Sequence, residues 1–124
     1  MEDSQILQQQ IQVIELLPIP ACIITSDSKI RSFNPACQQL FGYEEKEVLN
    51  QDVMMLMPVG ELRGRHPEFV KNFAEGKKKE SQVVGKGRKI VGRHKNGSNV
   101  TATLSVTERR DGAVIFYTGI FAVL

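Results

Sequence analysis

From Asp3 to Leu17 the apolar residues Leu7, Ile11, Ile14 and Leu17 recur at helical spacing, which predicts an amphipathic helix. Asp3 or Ser4 can cap its start, and Pro18 and Pro20 close it. Ile6, Val13 and Leu16 lie outside the stripe, so the helix is apolar for its length. Two uses of the Leu7/Ile11/Ile14 stripe stand side by side. It packs on its own domain, or it pairs with a second copy as coiled-coil-like flanking helices do.

Beyond the prolines the pattern changes to that of strands. Ala21 to Thr25 is a short β-rich run, Ser26-Asp27-Ser28-Lys29 turns the chain, and Ile30 to Phe33 returns as a hairpin. Asn34-Pro35 places an N-cap before a proline at the first helical position, opening a short helix that Gly42 stops. Tyr43 to Leu49 reads as a second short helix, and the Met-rich run Val53 to Pro58 as adaptable core. A helix is expected from Pro67 to Glu75, then a solvated loop at Lys77-Lys78-Lys79. Ser81 to Lys95 forms one long strand or two, Asn96-Gly97 is expected as a type I′ hairpin turn, and Val100 to Thr107 alternates. Asp111-Gly112 turns again before the apolar strand Ala113 to Leu124. The order implies an α+β domain, with an antiparallel sheet of about five strands, its short helices on one face, and an N-terminal flanking helix. The chain divides into that helix, 1–17, and a domain, 18–124.

Composition narrows the class. The 124 residues are 41% hydrophobic and 24% charged, enough for one globular core. A formal charge of +2 calls for no polyanionic partner. The basic residues Lys86, Arg88, Lys89, Arg93, His94 and Lys95 divide between two sheet faces by alternation, and no aromatic interleaves them, so nucleic acid is not an expected partner. No apolar run approaches the roughly 18 residues that span a bilayer. The Gln-rich start does not resemble a secretory signal, and Cys22 and Cys37 suit a reducing interior, so a cytoplasmic location without a membrane partner is expected. One Cys pair gives no metal pattern, although a disulfide between the two stays open. His66 and His94 sit in no recognisable triad, and Gly85-x-Gly87 lacks the strand-turn-helix context of a phosphate loop. The chain is therefore not expected to be an enzyme.

Phe33-Asn34-Pro35-Ala36, Leu40-Phe41-Gly42-Tyr43, Met57-Pro58, Gly92 and Lys95-Asn96-Gly97-Ser98 follow one another in the order and spacing of the PAS fold signature. From about Leu16 to Phe121 the chain resembles a PAS domain. The resemblance implies a sensory and regulatory module of a larger signalling protein, which dimerises and passes its signal to an output domain. Within the family, Arg63-Gly64-Arg65-His66 and Val83-Val84-Gly85-Lys86-Gly87-Arg88 resemble the FixL-type haem-binding oxygen sensors. Carried over, His66 is the iron ligand, Arg88 meets a haem propionate or bound oxygen, and Val83, Leu104 and Val106 line an apolar distal wall. The residues also support a different reading. Pro67 pushes His66 away from helical geometry and makes it a cap or an exposed side chain, leaving a module without a bound cofactor. Leu7, Ile11 and Ile14 are then the expected homodimer interface.

Overall fold

The computed structural model describes residues 5–56 and 88–123. The helix expected at 67–75, the lysine loop, His66 and Val83 lie outside them. Helix α1 (Gln5–Glu15) leads into strands β1 (Ala21–Thr25) and β2 (Ile30–Phe33). Helices α2 (Pro35–Phe41) and α3 (Glu45–Val48) follow, then a 3-10 turn over Val53–Leu56. Strands β3 (Arg88–Arg93), β4 (Asn99–Asp111) and β5 (Val114–Val123) complete the described chain. All five strands form one antiparallel sheet in the order β2-β1-β5-β4-β3. The last strand therefore sits at the centre, paired with β1 from Ala21↔Ile120 to Thr25↔Phe116.

Alternation assigns the side chains to two faces. On the inner face, Cys22, Ile30, Phe33, Val100, Ala102 and Phe121 join Cys37, Phe41, Val48, Val53 and Leu56 from the helical segment in one buried cluster. Phe41 is its centre, with its ring centroid 6.1 Å from that of Phe33 and 5.3 Å, edge-on, from that of Phe121. Such pairs add about 1 kcal/mol each to the area that they bury. Strand β3 approaches this aromatic group closely. A Cβ on Gly92 would lie 2.8 Å from Phe41 Cε1 and 3.0 Å from the Leu56 carbonyl oxygen, so only glycine fits without displacement.

The outer face carries a second cluster. Leu7 and Ile14 of α1 are buried against Ala21, Ile23 and Phe116, with Ile6, Ile11, Leu17, Val114 and Ile120 packed around them. The helical stripe is thus spent on its own sheet, which is one of the two uses that its spacing allowed. Val13 of α1 and Leu16 just beyond it, 53% and 85% exposed, face outward.

The turns explain the registers. At Asn96-Gly97 the structure departs from type I′, which needs positive φ at both residues. Gly97 has φ +94° but Asn96 is not in the left-handed region, and the His94 carbonyl accepts from Gly97 N at 2.8 Å. His94 N donates to Ser98 O at 2.8 Å, so Lys95-Asn96-Gly97 is a three-residue loop ending in a left-handed glycine. Side chains fix the longer loop. Asn96 N donates to His94 Nδ1 at 3.1 Å, and Asn96 Oδ1 accepts from Ser98 N at 2.9 Å. At the other hairpin, Asp111 pairs directly with Val114 across Gly112-Ala113.

Candidate functional site

The inner face of the sheet changes character along its length. At one end Phe33, Phe41, Leu56 and Phe121 cover it completely. Farther along, Arg88 of β3 stands directly opposite Leu104 of β4, which in turn pairs with Phe121 of β5. Val106, two residues on, shares that face and pairs with Gly119. Leu104 and Val106 are half-buried and Arg88 is exposed. A Cβ at Gly119 would lie 3.2 Å from Leu104 Cδ1 and 3.8 Å from Cys22 Sγ, so Leu104 packs closely over the glycine backbone. One more pair along, Glu108 meets Tyr117, and Glu108 Oε2 accepts from Arg110 Nε at 2.7 Å. Burial pushes the Tyr117 phenol up to about 12, with Glu108 adding to the shift and Arg110 opposing it. The face proceeds from packed aromatics, past half-buried aliphatic side chains beside a guanidinium, to an ionic edge.

Of the residues expected to form a cofactor site, the structure therefore brings Arg88, Leu104 and Val106 together on one face. His66 and Val83 lie outside the described residues. Leu7, Ile11 and Ile14, expected at a dimer interface, lie against the sheet of their own chain. The close approach of Leu104 to Gly119 is not legible in the sequence, because it appears only when β4 and β5 are aligned.

A polar junction holds the helical segment to the sheet. Asn34 caps α2 by accepting from Cys37 N at 2.9 Å, and the same Oδ1 accepts from Ala21 N at 3.0 Å. Its Nδ2 donates to the Ile14 carbonyl at 2.9 Å and the Ile19 carbonyl at 2.8 Å. One fully buried amide thus ties the end of α1, the start of β1 and the start of α2. Glu45 completes the edge of β2 by accepting from Phe33 N at 3.1 Å. On the surface, Lys95 Nζ meets Glu47 Oε2 at 2.6 Å beside the Tyr43 ring. That contact holds the Glu47 carboxyl below and the Lys95 ammonium above their ordinary ranges.

Among the described residues, no group of three or more His, Cys, Asp or Glu side chains could hold a metal ion. None of the described helices is long and apolar enough to cross a membrane.

A five-stranded antiparallel sheet in the order β2-β1-β5-β4-β3 with short helices over its inner face defines the class of fold. The family model for the PAS fold matches residues 8–123, and the chain belongs to that family. It is 30% identical over 97 residues to the oxygen sensor protein DosP of Escherichia coli, covering 78% of this chain and 12% of that protein. It is 27% identical over 107 residues to the sensor protein FixL of Bradyrhizobium diazoefficiens, covering 86% of this chain and 21% of that protein. The chain thus spans a small part of the curated relatives that it matches. Among solved structures it is similar to a PAS domain from Desulfitobacterium hafniense, with a TM-score of 0.73 at 13% identity, covering 91% of this chain and 99% of that one. PAS domains are sensory modules of signalling proteins, generally not catalytic themselves, which commonly dimerise and couple to output domains.

Proposed function

We propose that this chain senses and regulates without a resident cofactor, as the cytoplasmic PAS module of a larger signalling protein whose catalytic activity resides in an output domain. The observation that carries this reading is the filling of the inner face by the chain's own side chains. Phe33, Phe41, Leu56 and Val100, all buried, occupy the space between sheet and helices, with Ile90, Leu104 and Met55 packed against them. Neither a nucleic acid nor a membrane is a partner in this reading.

The module works as a homodimer. For Leu7, Ile11 and Ile14 to serve the interface, α1 has to lie on the partner's sheet in place of its own, an exchange that preserves every contact of the outer cluster. Residues 1–17 then form the flanking, exchanged element and 18–124 the sensing domain.

A second reading, haem-based gas or redox sensing, is favoured by the face that Arg88, Leu104 and Val106 share. Leu104 and Val106 would supply an apolar wall, and Arg88 a cation for a propionate or a bound oxygen. The similarity to an oxygen sensor protein supports it as well. His66 would hold the iron and Val83 would complete the wall. Haem, when bound, would supply reversible gas or electron chemistry. The absorbance of the purified chain after haem supplementation, with His66→Ala as the comparison, distinguishes the two readings.

A further inference from the structure

Cys22 of β1 and Cys37 of α2 are free thiols, 5% and 0% exposed, in the same inner cluster. Asn34 fixes their relative position. Its Oδ1 accepts at once from the backbone N of Cys37 and from that of Ala21, the residue before Cys22. Both thiols belong to the one inner cluster, near enough for Cys22 to act on the Cys37 thiol electrostatically. None of the sensory readings above uses them.

We propose that Cys22 and Cys37 are an oxidisable dithiol site, closed to a disulfide by hydroperoxides. The cross-link would tie β1 to α2 within the inner cluster and make the domain's core redox-dependent. Disulfide closure requires Cα atoms within about 7 Å and side chains facing one another, and the shared Asn34 oxygen holds the start of β1 beside the start of α2. Cys22 keeps the residual exposure, so it reacts first. Its thiolate attacks one peroxide oxygen, the O–O bond breaks, and Cys22 becomes a sulfenic acid as hydroxide leaves and is protonated to water. The Cys37 thiolate then attacks the Cys22 sulfur, the S–S bond forms and the S–O bond breaks, releasing a second water. Two thiols are oxidised and one hydrogen peroxide is reduced to two waters.

Burial and the Cys22 contact push the Cys37 thiol well above the ordinary thiol range. The thiolate is the reactive form, so the Cys37 attack that closes the disulfide is slow at neutral pH and quickens as pH rises. That sets it apart from the exposed, low-pKa thiols that serve as rapid sensors.

The reduced, folded chain is treated with hydrogen peroxide, quenched, unfolded and alkylated with N-ethylmaleimide, and its intact mass is measured. The proposal expects a monomeric chain that has lost two hydrogens and takes up no maleimide, and whose two labels return after dithiothreitol. Cys22→Ala, given the same treatment, is expected to show no such loss of two hydrogens. Two maleimides on the treated chain would overturn the proposal, as would oxygen addition without an S–S bond or a disulfide between chains.

Discussion

Asn34 Nδ2 donates to the Ile14 carbonyl at 2.9 Å while Asn34 Oδ1 accepts from Ala21 N at 3.0 Å. One buried side chain therefore sets the helix on the outer face and the start of β1 to the same reference. Its removal leaves buried donors and acceptors unpaired at once. Asn34→Ala is expected to cost about 3 kcal/mol or more, from the lost cap and the unsatisfied backbone groups. Urea unfolding measures it, and a loss under about 1 kcal/mol would show that the junction is replaceable by water.

Gly92 faces Phe41 with no room for a methyl group. Gly92→Ala should destabilise the domain by about 1–3 kcal/mol through overpacking. Adding Phe41→Leu should recover part of that loss, because the nearest obstacle is the Phe41 ring, whereas the Leu56 carbonyl would remain. A double-mutant cycle reads the coupling directly. Strict additivity would mean that the ring is not what excludes the methyl.

Burial raises Tyr117 from its ordinary value near 10 to about 12. Below about pH 10 the phenol is neutral in both folded and unfolded chains, and its contribution to stability is fully present. Between 10 and about 12 the unfolded chain ionises first, so stability falls as pH rises through that window. Thermal melts across the window should show a steeper fall for the native sequence than for Tyr117→Phe. Equal slopes would place the phenol in water.

The exchange of α1 predicts a dimer by sedimentation equilibrium at high micromolar concentration. Leu16→Glu, at an 85% exposed position outside the packed stripe, should leave that dimer intact. A monomer at that concentration would contradict the exchange. So would a Leu16→Glu variant that dissociates, since it would place the interface on the outward side of α1.

Much of this architecture was legible in local pattern. The change from helical to alternating spacing at Pro18–Pro20, the Asn34-Pro35 start and the Gly42 stop each mark an element boundary where the structure has one. Gly42 takes φ +80°, as a helix-ending glycine should. What local pattern could not show is tertiary. Asn34 reads as a cap because Pro35 follows it, yet its bonds to Ile14 and Ile19 depend on where α1 comes to rest. The face shared by Arg88, Leu104 and Gly119 depends on strand register, which no single segment encodes. Asn96-Gly97 was misread as type I′ for a related reason, since the His94 ring and the Ser98 partner select the longer loop.

Arg88 reports on which sensing chemistry the inner face supports. If no haem is held there, Arg88→Ala should leave both stability and absorbance unchanged within error, as expected for an exposed edge residue. A change in the spectrum of haem-treated protein on Arg88→Ala would instead assign the guanidinium to the cofactor.

The most direct measurement is the absorbance spectrum of the purified chain after haem supplementation, taken beside that of His66→Ala. A module whose core is filled by its own side chains gives no Soret band, or one indifferent to the substitution. A sharp Soret band that disappears in His66→Ala would contradict the cofactor-free account and establish the haem-sensing one.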